Sequence, residues 1–150
     1  MRHLCVMIGG SRFAVPTADV REVGPAVAAR AVPGAPAWCR GFACARGHWM
    51  PLVHAAALLG MPLTAPTTLS RTLLLAGTDD PSQAILVEVD AVEDLVRLDG
   101  EGVHPGLQLD GHAWLGALHS LGESSVQVLQ LALLRQHPQW IALTREAPKA

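Results

Sequence analysis

Residues Gly41–Gly60 read GFACARGHWMPLVHAAALLG and predict a strand, a tight turn, a second strand and a short helix. Gly41 and Gly47 mark positions where a Cβ would obstruct a turn or a bulge. Pro51 has no backbone N–H, so we expect its strand to lie at a sheet edge or to end there. The alanines and leucines that follow are good helix formers, and Gly60 stands where helices commonly end.

A looser copy of this pattern returns 75 residues later, which is half of the 150-residue chain. Gly116 and Gly122 repeat the spacing of Gly41 and Gly47 at that offset. Two matched units predict a tandem or intertwined pair of small β-modules. The length fits a single domain over residues 1–150 that contains two such subdomains.

Short apolar runs between Gly, Pro and Asp turns extend the β pattern along the chain. The candidate strands are Leu4–Ile8, Arg12–Val15, Arg71–Ala76, Ala84–Val89, Asp90–Leu98, Ala113–Leu118 and Ser125–Leu129. The segment Val20–Val23 fits a strand or a helical turn. The spacing within Asp90–Leu98 suits a helix as well as a bent strand, and we favour the strand. Gln130–Gln136 predicts the start of a helix that Pro138 should interrupt. Many short strands with regular turn signals predict a mainly β fold of barrel type. We expect residues 145–150 to fray.

The composition limits the classes of partner. Half of the residues are hydrophobic, 16% are charged, and the formal net charge is −2. This balance gives no electrostatic footprint for nucleic acid, so we expect no such partner. It favours an apolar surface that another protein covers. No apolar run approaches the ~20 residues that span a bilayer, so we expect no direct membrane insertion.

Catalysis and secretion have little support in the sequence. No G-x-S-x-G elbow or phosphate-binding loop is present, so we predict a protein that is not an enzyme and holds no cofactor. A small enzyme of unrecognised type is a rival, and a deep pocket lined by titratable groups would be its sign. The three cysteines make no disulfide framework, and the first residues lack a signal-peptide cleavage site. A cytoplasmic protein is the simplest interpretation.

Four motifs, taken in order, make the chain resemble the CheW-like family of chemotaxis coupling proteins. The opening hairpin of the family ends in Leu-Pro and is followed by V-x-E-V, which Val15–Pro16 and Val20–Val23 match. The family pattern GVxNLRG…PVxDLxxLLG is similar to residues 41–60, and VDxVxxVxxL is similar to residues 89–98. The leucine-rich motif at the end of the family pattern is matched loosely over residues 116–134.

The resemblance implies a fold and a function. The implied fold is two intertwined five-stranded SH3-like β-barrels with a shared core and short helices. The implied function is an adaptor that couples the cytoplasmic tip of methyl-accepting chemoreceptors to the regulatory domain of a CheA-type histidine kinase, at membrane-associated arrays. Other CheW-like proteins are further candidate partners. By motif match, the partner-binding residues are Val20, Glu22, Gly41, Arg46, Gly47 and Val92.

Several polar residues of the family pattern are replaced in this chain. The Asn before Leu-Arg-Gly is Cys44, the Asp after the proline strand is His54, and the Arg two residues later is Ala56. The matching Asp of the second half is missing as well, where Leu129 and Gln130 stand. These losses favour a divergent member that serves a specialised array, such as pilus-based motility or surface sensing.

An alternative hypothesis is a metal-binding β-barrel module that uses Cys39, Cys44, His48 and His54. Thiolates and imidazoles are the ligands that zinc prefers. The spacing C-x4-C-x3-H-x5-H contains no tight C-x2-C knuckle, and the predicted strands do not require the four side chains to converge. Buried free cysteines also behave as small hydrophobes. We therefore expect no metal as the primary interpretation.

Overall fold

The computed structural model describes residues 1–107, 114–136 and 138. The predicted residues 145–150 tail lies outside these ranges. The described ranges contain ten strands and one short α-helix: β1 (Arg2–Ile8), β2 (Ser11–Pro16), β3 (Val20–Pro25), β4 (Cys39–Ala45), β5 (His48–His54), α1 (Ala55–Leu58), β6 (Arg71–Leu75), β7 (Leu86–Val89), β8 (Ala91–Arg97), β9 (Leu115–Leu121) and β10 (Ser124–Leu129). Three 3₁₀ segments cover Thr17–Asp19, Pro81–Gln83 and Leu131–Gln136.

The strands form two sheets of five strands each, which confirms the predicted mainly β fold. The terminal sheet, built from both ends of the described chain, has the strand order β8-β1-β2-β10-β9. The central sheet has the order β3-β6-β7-β5-β4. In each sheet the second strands of two hairpins pair in parallel. These strands are β2 and β10 in the terminal sheet, and β5 and β7 in the central sheet. The terminal sheet takes β1, β2 and β8–β10, and the central sheet takes the strands between them in the chain, β3–β7. The two units are therefore intertwined.

The main hydrophobic core takes side chains from both sheets, which therefore share it. Val6 of β1 and Val87 of β7 are both completely buried in this core. Each sheet also has a smaller cluster of its own, around Val126 in the terminal sheet and around Leu52 in the central sheet. Removing this apolar surface from water is the main stabilising contribution, at roughly 25 cal/mol per Å².

The stretch 41–60 folds as predicted except at its proline. β4, the turn, β5 and α1 follow each other in the expected order, and Gly60 has a positive φ of 87° after the helix. The expectation that Pro51 marks an edge strand or a strand end is wrong, because β5 lies between β7 and β4. β5 pairs with β7 only from Leu52 to His54, so the missing N–H of Pro51 breaks no ladder on that side.

The chain changes sheet at Asp90. β7 ends one residue before it in the central sheet, and β8 begins one residue after it and pairs with β1 in the terminal sheet. The Asp90 N–H donates to Met7 O at 2.9 Å, and its Oδ2 accepts from Gly9 N at 2.7 Å. Both bonds attach the crossing point to the β1–β2 hairpin. In the described ranges, every helix is too short to cross a membrane.

Candidate partner-binding surface

The turn between β4 and β5 presents Arg46 in an unusual backbone conformation. Arg46 has a φ of 52° and Gly47 a φ of 78°, the pair of positive values that a type I′ turn requires. Among the residues that the structure describes, Arg46 is the one non-glycine with positive φ. A Cβ in the left-handed region costs roughly 1–2 kcal/mol, so glycine or asparagine is the usual choice there. Strain of this kind is frequent at functional positions.

An ion pair joins this turn to β3. Nη2 of Arg46 contacts Oε2 of Glu22, and the two side chains are 60% and 40% exposed. β3 and β4 are the two edge strands of the central sheet, so they are not neighbours in the ladder. The ion pair therefore bridges the open side of the curled sheet.

An apolar groove lies beside the ion pair. It has two hollows, and both are lined by Met50 of β5, Leu74 of β6 and Arg46. The first hollow is also lined by Gly24, Pro25, Val27, Thr72 and Leu86. The second is also lined by Arg21, His48, Thr78, Asp79 and Pro81. A partner would meet an apolar floor with charged groups around the rim.

β3 adds a sheet edge to this surface. Within the described part of the chain it pairs with β6 alone, and its Val23 is 44% exposed. Exposed edge strands and apolar grooves are both common elements of protein interfaces. We call β3, the Arg46–Gly47 turn and the groove between them the docking surface.

The structure brings only some of the six predicted residues together. Glu22, Arg46 and Gly47 lie on the docking surface. Val20, also on β3, is partly buried against the main core. The two others lie elsewhere: Gly41 is buried under the backbone of residues 30–31, and Val92 lies on β8 of the terminal sheet.

Sequence reasoning missed the floor of the groove. Met50 and Leu52 share one face of β5 by alternation, and this alternation was the only local signal for the inward position of Met50. Leu74 reaches the same face because β7 lies between β6 and β5, pairing Leu86 with both Leu74 and Leu52. That juxtaposition depends on long-range strand pairing, which no local pattern in the sequence encodes.

The four candidate metal ligands do not converge. The Cys39 Sγ is buried and lies 3.7 Å from Gly41 O, whereas Cys44 and His48 are exposed at the other end of the hairpin. His54 is buried and accepts a hydrogen bond from Ala57 N. Over residues 1–107, 114–136 and 138, no three His, Cys, Asp or Glu side chains are placed to hold a metal ion. The geometry therefore gives no support to the metal-binding alternative.

A buried polar cluster lies elsewhere on the central sheet, at the opposite end of the β4–β5 hairpin from the Arg46 turn. Glu88 of β7, 3% exposed, accepts from Nε and Nη2 of Arg40 at 3.1 and 2.8 Å. Nη2 of Arg40 also donates to Thr64 O. Nε2 of His54 lies 3.8 Å from Oε2 of Glu88. Burial lowers the pKa of His54 below 6.5, as does the Arg40 guanidinium, while Glu88 and Asp90 act in the opposite direction.

Comparison with known proteins identifies the family. The profile of the CheW-like domain matches residues 2–139. The chain belongs to the CheW-like domain family. A probable chemotaxis protein CheW of Rhizobium etli is 33% identical over 98 residues, and a chemotaxis protein CheW of Rhizobium meliloti is 31% identical over the same length. These alignments cover 65% of this chain and 61% of each relative.

The fold agrees with that of a solved CheW protein. The crystal structure of the scaffolding protein TtCheW from Thermoanaerobacter tengcongensis superposes with a TM-score of 0.76 at 16% identity. The match covers 92% of this chain and 94% of the other. Each five-stranded sheet is thus one SH3-like subdomain, as the CheW-like resemblance implied.

Replacing Arg46 by asparagine separates strain from charge in the turn. Asn-Gly is the preferred type I′ pair, so we expect Arg46→Asn to leave the free energy of unfolding unchanged or to raise it by up to about 1 kcal/mol. Loss of the exposed ion pair offsets this gain only slightly, because such pairs contribute about 0–1 kcal/mol. Urea denaturation of both proteins measures the difference. A loss above about 1.5 kcal/mol would show that the ion pair, not the turn, dominates.

Proposed function

We propose that this CheW-like protein is a non-enzymatic adaptor of a chemotaxis-type signalling array. It binds the regulatory domain of a CheA-type histidine kinase through the docking surface and the cytoplasmic tip of a methyl-accepting chemoreceptor through a second surface. It works in the cytoplasm, at membrane-associated receptor arrays, and contacts other CheW-like proteins there. Binding energy at the two surfaces couples the conformations of the two partners.

The observation that carries this proposal is the Glu22–Arg46 ion pair across the groove. The turn has arginine at a strained position where asparagine would fit better, and it places a guanidinium over an apolar floor. Arginine is enriched at interface hot spots because its planar, weakly hydrated head combines charge with stacking. A surface that served only stability would not require arginine at this position.

A second surface is available on the other sheet. β8 is an edge strand of the terminal sheet and carries Val92, partly buried, and Leu95, 59% exposed. Because it belongs to the other sheet, a partner on β8 leaves the docking surface free. We assign β8 to the receptor tip, so kinase and receptor bind together.

A charge reversal tests the kinase surface. We expect Arg46→Glu to weaken binding to the CheA-type regulatory domain of the same cell by about 10- to 100-fold, as for an interface arginine. The double variant Glu22→Arg with Arg46→Glu restores an ion pair in the opposite orientation. If Arg46 contacts the kinase, the double variant recovers stability but not affinity. Titration calorimetry and thermal unfolding on all three proteins give both quantities.

The matched control is an ion pair on the terminal sheet. Arg12 Nε lies 3.0 Å from Glu93 Oε1, and both side chains are about one-third exposed. Arg12→Glu changes the net charge equally but leaves the docking surface intact, so kinase affinity should stay within about twofold. Retained binding by Arg46→Glu would move the kinase interface elsewhere. Absence of binding to any CheA-type regulatory domain of that cell would refute the adaptor proposal.

A further inference from the structure

The loop that follows α1, residues 61–70, is attached to the central sheet by a few polar contacts. It contains no strand or helix, and its Leu63 and Leu69 are exposed. Its first residue, Met61, packs closely on the β1–β2 turn. A Cβ on Gly9 would lie 1.9 Å from Met61 Sδ. At Thr64 the backbone carbonyl accepts a hydrogen bond from Arg40. Thr64 therefore connects the loop to the buried polar cluster, in addition to the packing of Met61 on Gly9.

His54 connects the same loop to α1. Its Nδ1 accepts from Ala57 N at 3.1 Å, which makes His54 the N-cap of the helix. Because Nδ1 is the acceptor, the proton of the neutral ring lies on Nε2, 3.4 Å from Thr64 Oγ1. The residue is 1% exposed, so water cannot take over these contacts while the loop is closed.

Three charged groups face His54 from other parts of the chain. Arg40 comes from β4, Glu88 from β7, and Asp90 from the crossing to β8. Arg40 donates two hydrogen bonds to Oε2 of Glu88. A neutral ring lies beside this pair and adds no charge, whereas a protonated ring places a second positive charge near the Arg40 guanidinium.

We propose that His54, Arg40 and Glu88 form a proton-sensitive latch, which holds α1 and residues 61–70 on the central sheet near neutral pH and releases them as the pH falls. This device is independent of the proposed partners. It gives the adaptor a response to acidification that is built into the subdomain carrying the docking surface.

The position of the added proton explains why the latch opens. Nε2 already carries a proton, so the second proton must bind Nδ1, the atom that accepts from Ala57 N. Two N–H groups then face each other, and the helix loses its N-cap. Glu88 Oε2 lies 3.8 Å from Nε2, whereas the added proton is on Nδ1, the atom that caps α1.

The sign of the pH dependence follows from the pKa of His54. Burial and Arg40 hold this pKa below its ordinary value of 6.5 in the latched state. In the released state the imidazole is hydrated and regains its ordinary pKa, so that state binds the proton more readily. The latched state therefore has its full stability above pH 6.5 and loses stability as the pH falls from there through the lowered pKa of His54.

Hydrogen exchange at two pH values tests the latch. Between about pH 7.5 and about pH 5.5, after correction for intrinsic exchange, we expect protection of the 55–70 amides to fall about tenfold in the wild-type protein. In His54→Asn the side-chain oxygen can accept from Ala57 N without titrating, so the fall should disappear. His48→Asn removes an exposed histidine from the same strand and should behave as wild type. An equal fall in His54→Asn, or no fall in wild type, would overturn the proposal.

A measurement on the unmodified chain covers the case in which His54→Asn fails to fold. Nitrogen chemical shifts of the His54 ring report the tautomer and the titration midpoint. We expect Nδ1 to be unprotonated at neutral pH and its titration to follow the loss of exchange protection. A ring protonated on Nδ1 at neutral pH, or a titration midpoint that does not follow the loss of protection, would contradict the latch.

Discussion

Replacement of Arg40 by methionine is expected to lower the free energy of unfolding by about 3–5 kcal/mol. Arg40 supplies both hydrogen bonds that Glu88 Oε2 receives, and Glu88 is almost completely buried. Methionine keeps most of the apolar stem, so the variant isolates the loss of the guanidinium. A loss of this size is a large part of the roughly 5–15 kcal/mol that stabilises a typical domain.

Glu88→Leu, which removes the other charge of the pair, should lower the free energy of unfolding by less than Arg40→Met does. In Glu88→Leu the remaining charge is Arg40, whose side chain is 15% exposed and still donates to Thr64 O. The double variant Arg40→Met with Glu88→Leu removes both charges and should recover most of the stability. Guanidinium denaturation of the four proteins gives the complete cycle.

An exposed arginine provides the control for this cycle. Arg97 is 78% exposed and lies 3.9 Å from Asp99, so Arg97→Met should change stability by less than about 0.5 kcal/mol. A loss below about 1 kcal/mol in Arg40→Met would mean that water reaches Glu88 and replaces the guanidinium.

Local chemistry made most of the fold predictable. Glycines and proline divide the stretch 41–60 into elements that the structure reproduces, and the apolar run at 71–76 becomes β6. The pairing of strands was not predictable in the same way. The sequence pattern of residues 91–97 fits a strand in either sheet. Their pairing with β1 depends on the chain crossing at Asp90.

The motif match named candidate residues but not their arrangement, and their role in binding stays a prediction. Glu22 and Arg46 were both chosen by motif match, yet their contact across the sheet edges requires the full strand order. The buried cluster was missed because polar core residues follow no period. A local signal existed in Glu88, a single carboxylate within the apolar run at 84–89. A carboxylate in such a run requires a buried partner.

Gly41→Ala is expected to lower the free energy of unfolding by about 3–5 kcal/mol. Gly41 has a φ of 123°, and a Cβ there would lie 1.9 Å from Arg30 O and 2.9 Å from Ala31 Cα. Both atoms belong to the backbone, so no rotamer change relieves the clash. Residues 30–31 would have to leave β4, which breaks the two hydrogen bonds between Arg30 and Phe42.

A comparison with Gly47→Ala separates this clash from the cost of a positive φ. Gly47 also has a positive φ, 78°, but nothing lies within 4 Å of a Cβ there, so its alanine variant should lose only about 1 kcal/mol. Exchange at the Arg30 and Phe42 amides should rise in Gly41→Ala and stay unchanged in Gly47→Ala.

The same pair of variants tests the motif-based assignment of Gly41 to a partner surface. If Gly41→Ala stays as stable as wild type but loses kinase binding, the residue acts at the interface and the packing explanation fails. If kinase affinity instead falls only in proportion to the folded fraction, Gly41 acts by holding residues 30–31 against β4.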